Sequence, residues 1–286
     1  MGERAPRIPS GIYLYALERD GVLDLDRIAS YLRNRLGPVK VEMRKDFFSY
    51  IQEGIGSEER EERIGRLATD LAGLKVRNPQ EKEFFPPPLY GEVEYERERL
   101  EGCVGGRGIL YDGHRLQQLC WEWLAPEETG LSHLHVIFTG QLFGTWDEDD
   151  LRFHARTIIC GFPALLSTMG IVVAPAKPKE FYFLKQQLPW GVMDDLALLD
   201  IKERFKGRFI DHEDDRMTEV MEGYVMQALF GQLLGYPFCE DRDCRLFNAH
   251  WQEELIRAQL EGAYEFCPSH QQMLESLRGQ TIRMTS

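Results

Sequence analysis

Cys239 and Cys244 are followed, after 22 intervening residues, by Cys267 and His270. Three thiols and an imidazole in two short-spaced pairs match what zinc requires, four nitrogen or sulfur ligands in a tetrahedron. One ion can hold all four only if the chain doubles back between the pairs, and a helical hairpin does this without unusual geometry. The plainer alternative, three buried cysteines beside a surface histidine, leaves both short spacings as coincidence. The other cysteines, Cys103, Cys120 and Cys160, are scattered, and six in 286 residues are too sparse for a disulfide scaffold.

Charge narrows the function from another side. Thirty-four Lys and Arg against 47 Asp and Glu give a net charge of −13, a field that repels phosphate backbones and anionic headgroups. Neither a nucleic-acid nor a membrane partner is therefore expected. The hydrophobic content of 43% is enough to bury a core. Apolar runs such as Ile171 to Ala174 are far shorter than the roughly 20 residues of a membrane span. The N-terminal MGERAPRIP has no apolar signal-peptide core, and Pro6 stands where a myristoylation signal needs Ser or Thr. The expectation is a soluble, cytoplasmic protein whose oligomeric state the sequence leaves open.

The chain opens with a β-branched and aromatic run, Ile12 to Leu17. Asp24 then precedes Leu25, Ile28, Ala29, Leu32 and Leu36 at helical spacing, and Gly37-Pro38 stops the helix before Val39, Val41 and Met43 alternate as a strand. Such a β-α-β unit normally pairs parallel strands through a right-handed crossover. From Ser57 a charged helix buries Ile64, Leu67, Ala68, Leu71 and Leu74, with EEREER as its solvated side. Residues 78–108, with three successive prolines and GCVGGRG, read as an irregular insertion or connection. A short strand at Ile109 to Tyr111, a helix through Leu116, Leu119, Cys120 and Trp123, and a strand at Leu134 to Thr139 follow. GTWDEDD reads as a turn, and Arg152 to Cys160 and Ser167 to Val173 as two strands. The last third is helical: Asp194 to Phe205, a longer helix capped by Asp214 or Asp215 and ended by Gly235 and Pro237, and His250 to Ala263.

The segment ALFGQLLGYPFC, residues 228–239, with Cys244 and Phe266-Cys267 after it, resembles the end of the archaemetzincins, zinc metallopeptidases with the signature HExxHxxGxxHC, then CxM and a later FCxxC. Cys239, Cys244 and Cys267 fall on three family cysteines, and His270 replaces the last. The resemblance implies that these four hold the family's second, structural zinc. Gly235 matches the glycine of the signature. The catalytic half departs from it: Ala228, Gln232 and Phe238 stand where three zinc-binding histidines belong, Leu229 replaces the general-base glutamate, and Leu246 replaces the Met-turn methionine. Ala and Phe cannot ligate zinc, and one glutamine does not hold a catalytic ion.

The fold this implies is mixed α/β (α+β): one metzincin-like unit over residues 1–286, a twisted mixed sheet packed by helices, with a helical, zinc-stapled C-terminal part from 214 to 286. The function it implies is that of a pseudo-peptidase with one structural zinc and no catalytic ion, whose former active-site cleft binds a peptide or protein partner. An alternative places a relocated catalytic metal among His133, His135, His154 and the His212 region, DHEDD. Against it, acidic residues at a helix start are what the helix dipole favours. GCVGGRG lacks the Lys-Ser/Thr of a phosphate loop, and the apolar surroundings of Cys120 and Cys160 argue against reactive thiolates.

Overall fold

The computed structural model describes residues 8–18, 23–103, 108–187 and 195–285. Residues 1–7 of the N-terminal segment, the middle of GCVGGRG and the helix start at Asp194 lie outside them. Strand β1 (Gly11–Tyr15) leads into helix α1 (Leu25–Leu36) and strand β2 (Lys40–Arg44). The Asp24 side chain caps α1 by accepting from the Arg27 N–H at 2.8 Å, and Gly37, at φ 84°, closes it. Beyond the short α2 (Phe47–Tyr50), helix α3 (Ser57–Gly73) buries the apolar face read from its spacing.

The stretch from 78 to 108 is not irregular throughout: Tyr90–Leu100 forms helix α4, which packs on α3. Its weak amphipathicity concealed it. What it buries is charged: Glu96, fully enclosed, takes Lys75 Nζ and Arg99 Nε at 2.7 Å and the Tyr111 hydroxyl at 2.8 Å. A buried carboxylate needs such partners.

Strand β3 (Leu110–Asp112) and helix α5 (Gly113–Glu122) precede β4 (His133–Thr139), β5 (Leu142–Asp147), β6 (Arg152–Arg156), β7 (Ile158–Ile159) and β8 (Ala164–Ser167). Three expectations are corrected here. The first four residues of GTWDEDD belong to β5 rather than to a turn. The single strand from Arg152 to Cys160 divides at Thr157 between two sheets. Ser167 to Val173 is helix α6 (Thr168–Val173), because the Ser167 hydroxyl accepts from the Gly170 N–H at 2.8 Å and starts a helix. Only glycine fits at 170, where a Cβ would lie 2.2 Å from the Arg156 carbonyl oxygen.

The main sheet has the order β2-β1-β4-β8-β7, parallel except for the antiparallel edge strand β7; a smaller sheet, β3-β5-β6, is also mixed. Strand β1 is buried on both faces. Ile12 and Leu14 meet α1 and the long helix α9 (Met217–Leu234), whereas Tyr13 and Tyr15 face α2, α3 and α5. This layering explains its nearly continuous apolar sequence. The pair α7 (Lys179–Gln186) and α8 (Asp195–Arg204) encloses a small core of Phe181, Ile201, Phe205 and Phe209.

Helix α9 is buried on nearly all sides from Met217 to Phe230, as a helix apolar all round must be. It begins after Arg216 rather than at an Asp cap: Asp214 receives the Arg216 backbone N–H and guanidinium, and its carbonyl accepts from Met217 N–H. The segment His250 to Ala263 is shorter than expected, α10 (Gln252–Ile256) with a wider π-type turn over Arg257–Glu261, and α11 (Pro268–Thr285) closes the chain. No helix among the described residues is long and apolar enough to cross a membrane.

Candidate metal centre and the adjoining cleft

Gly235, left-handed at φ 74°, ends α9 and turns the chain toward Cys239. From there a tight knuckle forms: Cys239 N–H donates to the Leu246 carbonyl at 2.8 Å, Phe247 N–H to the Cys244 carbonyl at 2.8 Å, and Asp241 N–H to the Cys239 sulfur at 3.4 Å. Cys267 immediately precedes α11, whose first turn carries His270. The four ligand atoms all lie within 4.8 Å of one another. Cys239 Sγ is 3.9 Å from Cys267 Sγ, and His270 Nδ1 lies 3.7 Å from Cys244 Sγ and 3.0 Å from Cys267 Sγ.

Those separations test the fit of an ion. A tetrahedron with metal–sulfur bonds of about 2.3 Å and metal–nitrogen bonds of about 2.0 Å has sulfur–sulfur edges near ~3.8 Å and sulfur–nitrogen edges near ~3.5 Å. The Cys239–Cys267 sulfur separation of 3.9 Å lies close to its ideal edge, and the two sulfur–nitrogen separations, 3.7 Å and 3.0 Å, bracket theirs. The cluster can therefore hold a metal ion. Burial pushes the Cys244 thiol up to about 12, raises Cys239 and lowers His270. Burial alone thus favours neutral donors, and a cation is what draws the protons off such thiols.

Ion pairs and a ring contact also brace the knuckle. Arg245 reaches the buried Glu222 of α9 at 3.4 Å and Glu265 at 3.4 Å, while Asp243 pairs with Arg257 at 2.7 Å. The Phe230 ring meets the His270 imidazole edge-on at 5.2 Å between centroids.

The residues that the sequence resemblance sets against the catalytic signature are dispersed. Ala228 and Leu229 are in the main core, as is Leu246. Gln232 reaches the start of β4, where its amide nitrogen donates to the carbonyls of Leu131 at 2.8 Å and His133 at 3.1 Å. Only Phe238 reaches the nearby cleft, about 410 Å³ in volume, between α9, the β6–β7 corner and the loop after Cys244. Helix α9 contributes Tyr224 and Gln227 to its wall, whereas Ala228 and Gln232 do not line it. The resemblance to the family signature did not point to this wall. The signal that could have found it is the i, i+3 pair Tyr224 and Gln227, the two polar side chains in the otherwise apolar stretch from Gly223 to Gly231.

The histidines considered for a relocated metal are not brought together. His135 is completely buried, and its ring is engaged on both sides: Nδ1 lies 3.0 Å from the Tyr15 hydroxyl and Nε2 lies 3.1 Å from the Glu128 carbonyl. Arg44 completes that network, donating to Tyr15 at 2.8 Å and to both Glu128 oxygens at 2.7 Å. His154 lies in the smaller sheet, 2.9 Å from Asp150, rather than on a neighbour of β4. His212 is exposed, and in DHEDD Asp211 pairs with Lys202 and Asp214 with Arg216. Among the described residues, Cys239, Cys244, Cys267 and His270 form the one group of His, Cys, Asp or Glu side chains at metal-binding separation. The Cys120 and Cys160 thiols are both pushed up by burial, Cys160 to about 12, so neither is poised as a nucleophile.

The chain matches no curated protein. Its structure aligns with the crystal structure of archaemetzincin from Methanopyrus kandleri over 97% of this chain and 98% of that one, at 13% identity and a TM-score of 0.43. A family model, described as "Probable metallopeptidase family (DUF6775)", matches residues 9–277. The chain, matched over nearly its whole length, belongs to that family.

Proposed function

We propose that this protein is an archaemetzincin-like pseudo-peptidase. It carries a single structural zinc on Cys239, Cys244, Cys267 and His270, has no catalytic ion, and binds a peptide or protein partner in the cleft beside α9. The observation that carries the reading is the pairing of one well-formed four-donor cluster with Ala228, Leu229, Gln232 and Phe238 at the aligned catalytic positions. A peptidase zinc needs three protein ligands, an open coordination position and a base beside the bound water. Those four side chains offer at most one ligand atom, the amide oxygen of Gln232, which is two short of the three protein ligands required.

The test combines metal analysis with a cleavage assay on protein purified without added metal. One zinc per chain, with no hydrolysis of a mixed peptide library under zinc, manganese or cobalt, is expected. Two ions per chain, or chelator-sensitive cleavage lost on substituting His133, His135, His154 or His212, would replace this reading with that of a metallohydrolase with a relocated site.

A further inference from the structure

The cysteine cluster and the cleft beside α9 share one stretch of chain. Pro237 and Phe238, just before Cys239, line the cleft, and so do Phe247, Asn248, Ala249 and His250, just after the knuckle. The Cys239 N–H bonds to the Leu246 carbonyl and the Phe247 N–H to the Cys244 carbonyl, so both lining segments are tied to the residues that carry the donors. Gln227 reaches the same loop from α9, its amide nitrogen 3.2 Å from the Arg245 and Phe247 carbonyls. An ion shared by the four donors braces this wall, because it joins Cys239 and Cys244 to Cys267 and His270 across 22 intervening residues.

The three thiols differ in access. Cys244 is fully buried, and its sulfur accepts the backbone N–H groups of Leu246 and Cys267; Cys267 itself is nearly as enclosed. Cys239 is half-buried, the most exposed of the three, and its sulfur lies 3.9 Å from that of Cys267. Three thiolates around a dication leave the centre with excess negative charge, so the bound sulfurs stay nucleophilic toward an electrophilic oxidant.

Resting on the reading of the cluster as a structural zinc site, we propose that it is also a redox-controlled clasp on the cleft: a peroxide joins Cys239 to Cys267 as a disulfide, zinc leaves, and the wall from Phe247 to His250 loosens. The Cys239 thiolate attacks a peroxide oxygen, and the O–O bond breaks to give a sulfenic acid and hydroxide. The Cys267 thiolate then attacks the sulfenyl sulfur, forming the S–S bond and expelling a second hydroxide. Both hydroxides take protons from solvent, so two thiolates are oxidised, one peroxide is reduced, and two waters form. Cys244 and His270 remain as donors, too few to retain the ion. A dithiol reverses the step by exchange.

The test uses the zinc-loaded full-length chain carrying Cys103→Ser, which removes an exposed thiol outside the cluster. Metal analysis first establishes the zinc content. Hydrogen peroxide is then added; zinc release is followed with a chromogenic chelator, the disulfide by peptide mass spectrometry, and the wall by hydrogen–deuterium exchange. Expected are loss of the ion, a peptide linked through Cys239 and Cys267, and exchange about tenfold faster across residues 245–250, all reversed by a dithiol with added zinc. Should Cys103→Ser not fold, the unaltered chain gives the same readouts, since Cys103 is resolved in its own peptide. Zinc retained under peroxide, a disulfide between other sulfurs, or release with unchanged exchange in the wall each overturns the inference and leaves the structural zinc standing. A chain that holds no zinc before peroxide overturns both.

Discussion

Two regions of this molecule carry residues fit for a metal, and they use them in opposite ways. Around Cys239 and His270 four donor atoms gather within 4.8 Å of one another, close enough for one ion to be shared. Along β4, His133 and His135 share a strand face with ring centroids 6.5 Å apart, yet both nitrogens of His135 are taken by Tyr15 and Glu128. A ligand must keep its lone pair available and be joined by others at the same point. Residue type is shared between the two regions; convergence belongs to one.

The largest effect should come from the cysteine cluster. Removing the metal with a chelator, or substituting Cys244→Ser, is expected to lower the melting temperature by about 10 °C or more, because a structural zinc contributes many kcal/mol to the fold that holds it. Calorimetry before and after chelation measures this. An unchanged melting temperature would make the cluster no more than buried thiols.

A pH experiment sharpens the other side. Burial holds the His135 imidazole down, from its ordinary value of 6.5 to about 4, so the folded state keeps it neutral while the unfolded chain takes up a proton. Its contribution is complete above about pH 6.5 and is lost as pH falls toward about 4, some ~3 kcal/mol over that window. Denaturant titrations at pH 7 and pH 4 should show this loss in the native protein and its absence in His135→Asn, whose own baseline is lower. Identical pH slopes in the two would mean that His135 does not titrate as a neutral core residue.

Smaller still is the effect expected of Gln232→Ala, about 1–2 kcal/mol of stability from two lost hydrogen bonds, with zinc content unchanged. Loss of the metal in that variant would move Gln232 into a coordination sphere and break the contrast. The smallest change belongs to His270→Cys. Cys Sγ sits one bond nearer the backbone than Nδ1, and the longer metal–sulfur bond offsets the difference. One zinc per chain and a melting temperature within a few degrees of the native protein are expected, by metal analysis and calorimetry.

Much of the architecture was legible because local chemistry and final structure agree. Asp24 caps α1, Gly37 and Gly235 end helices at positive φ, and IYLYAL could be a strand between two apolar layers. Failures came where contacts distant in sequence decide. Helix α4 follows from Lys75 and Tyr111 meeting Glu96, none of which its own periodicity reveals. The run from Arg152 to Cys160 has one sequence pattern but serves two sheets, since β5 claims its first half and β8 its second.

The same division runs through the site. The sequence by itself nominated the candidate donors, because thiols and imidazole at x4 and x2 spacing are a property of local chain geometry, and it determined that the side chains of Ala228, Leu229 and Phe238 have no atom able to bind zinc. Only the tertiary structure decided that the two pairs meet, that His135 is consumed by hydrogen bonds, and that the cleft beside α9 is walled by Tyr224, Gln227 and Arg156. Spacing fixes which atoms a short segment can present together; which segments face one another is set by packing of the whole core, a long-range property that no window of sequence contains.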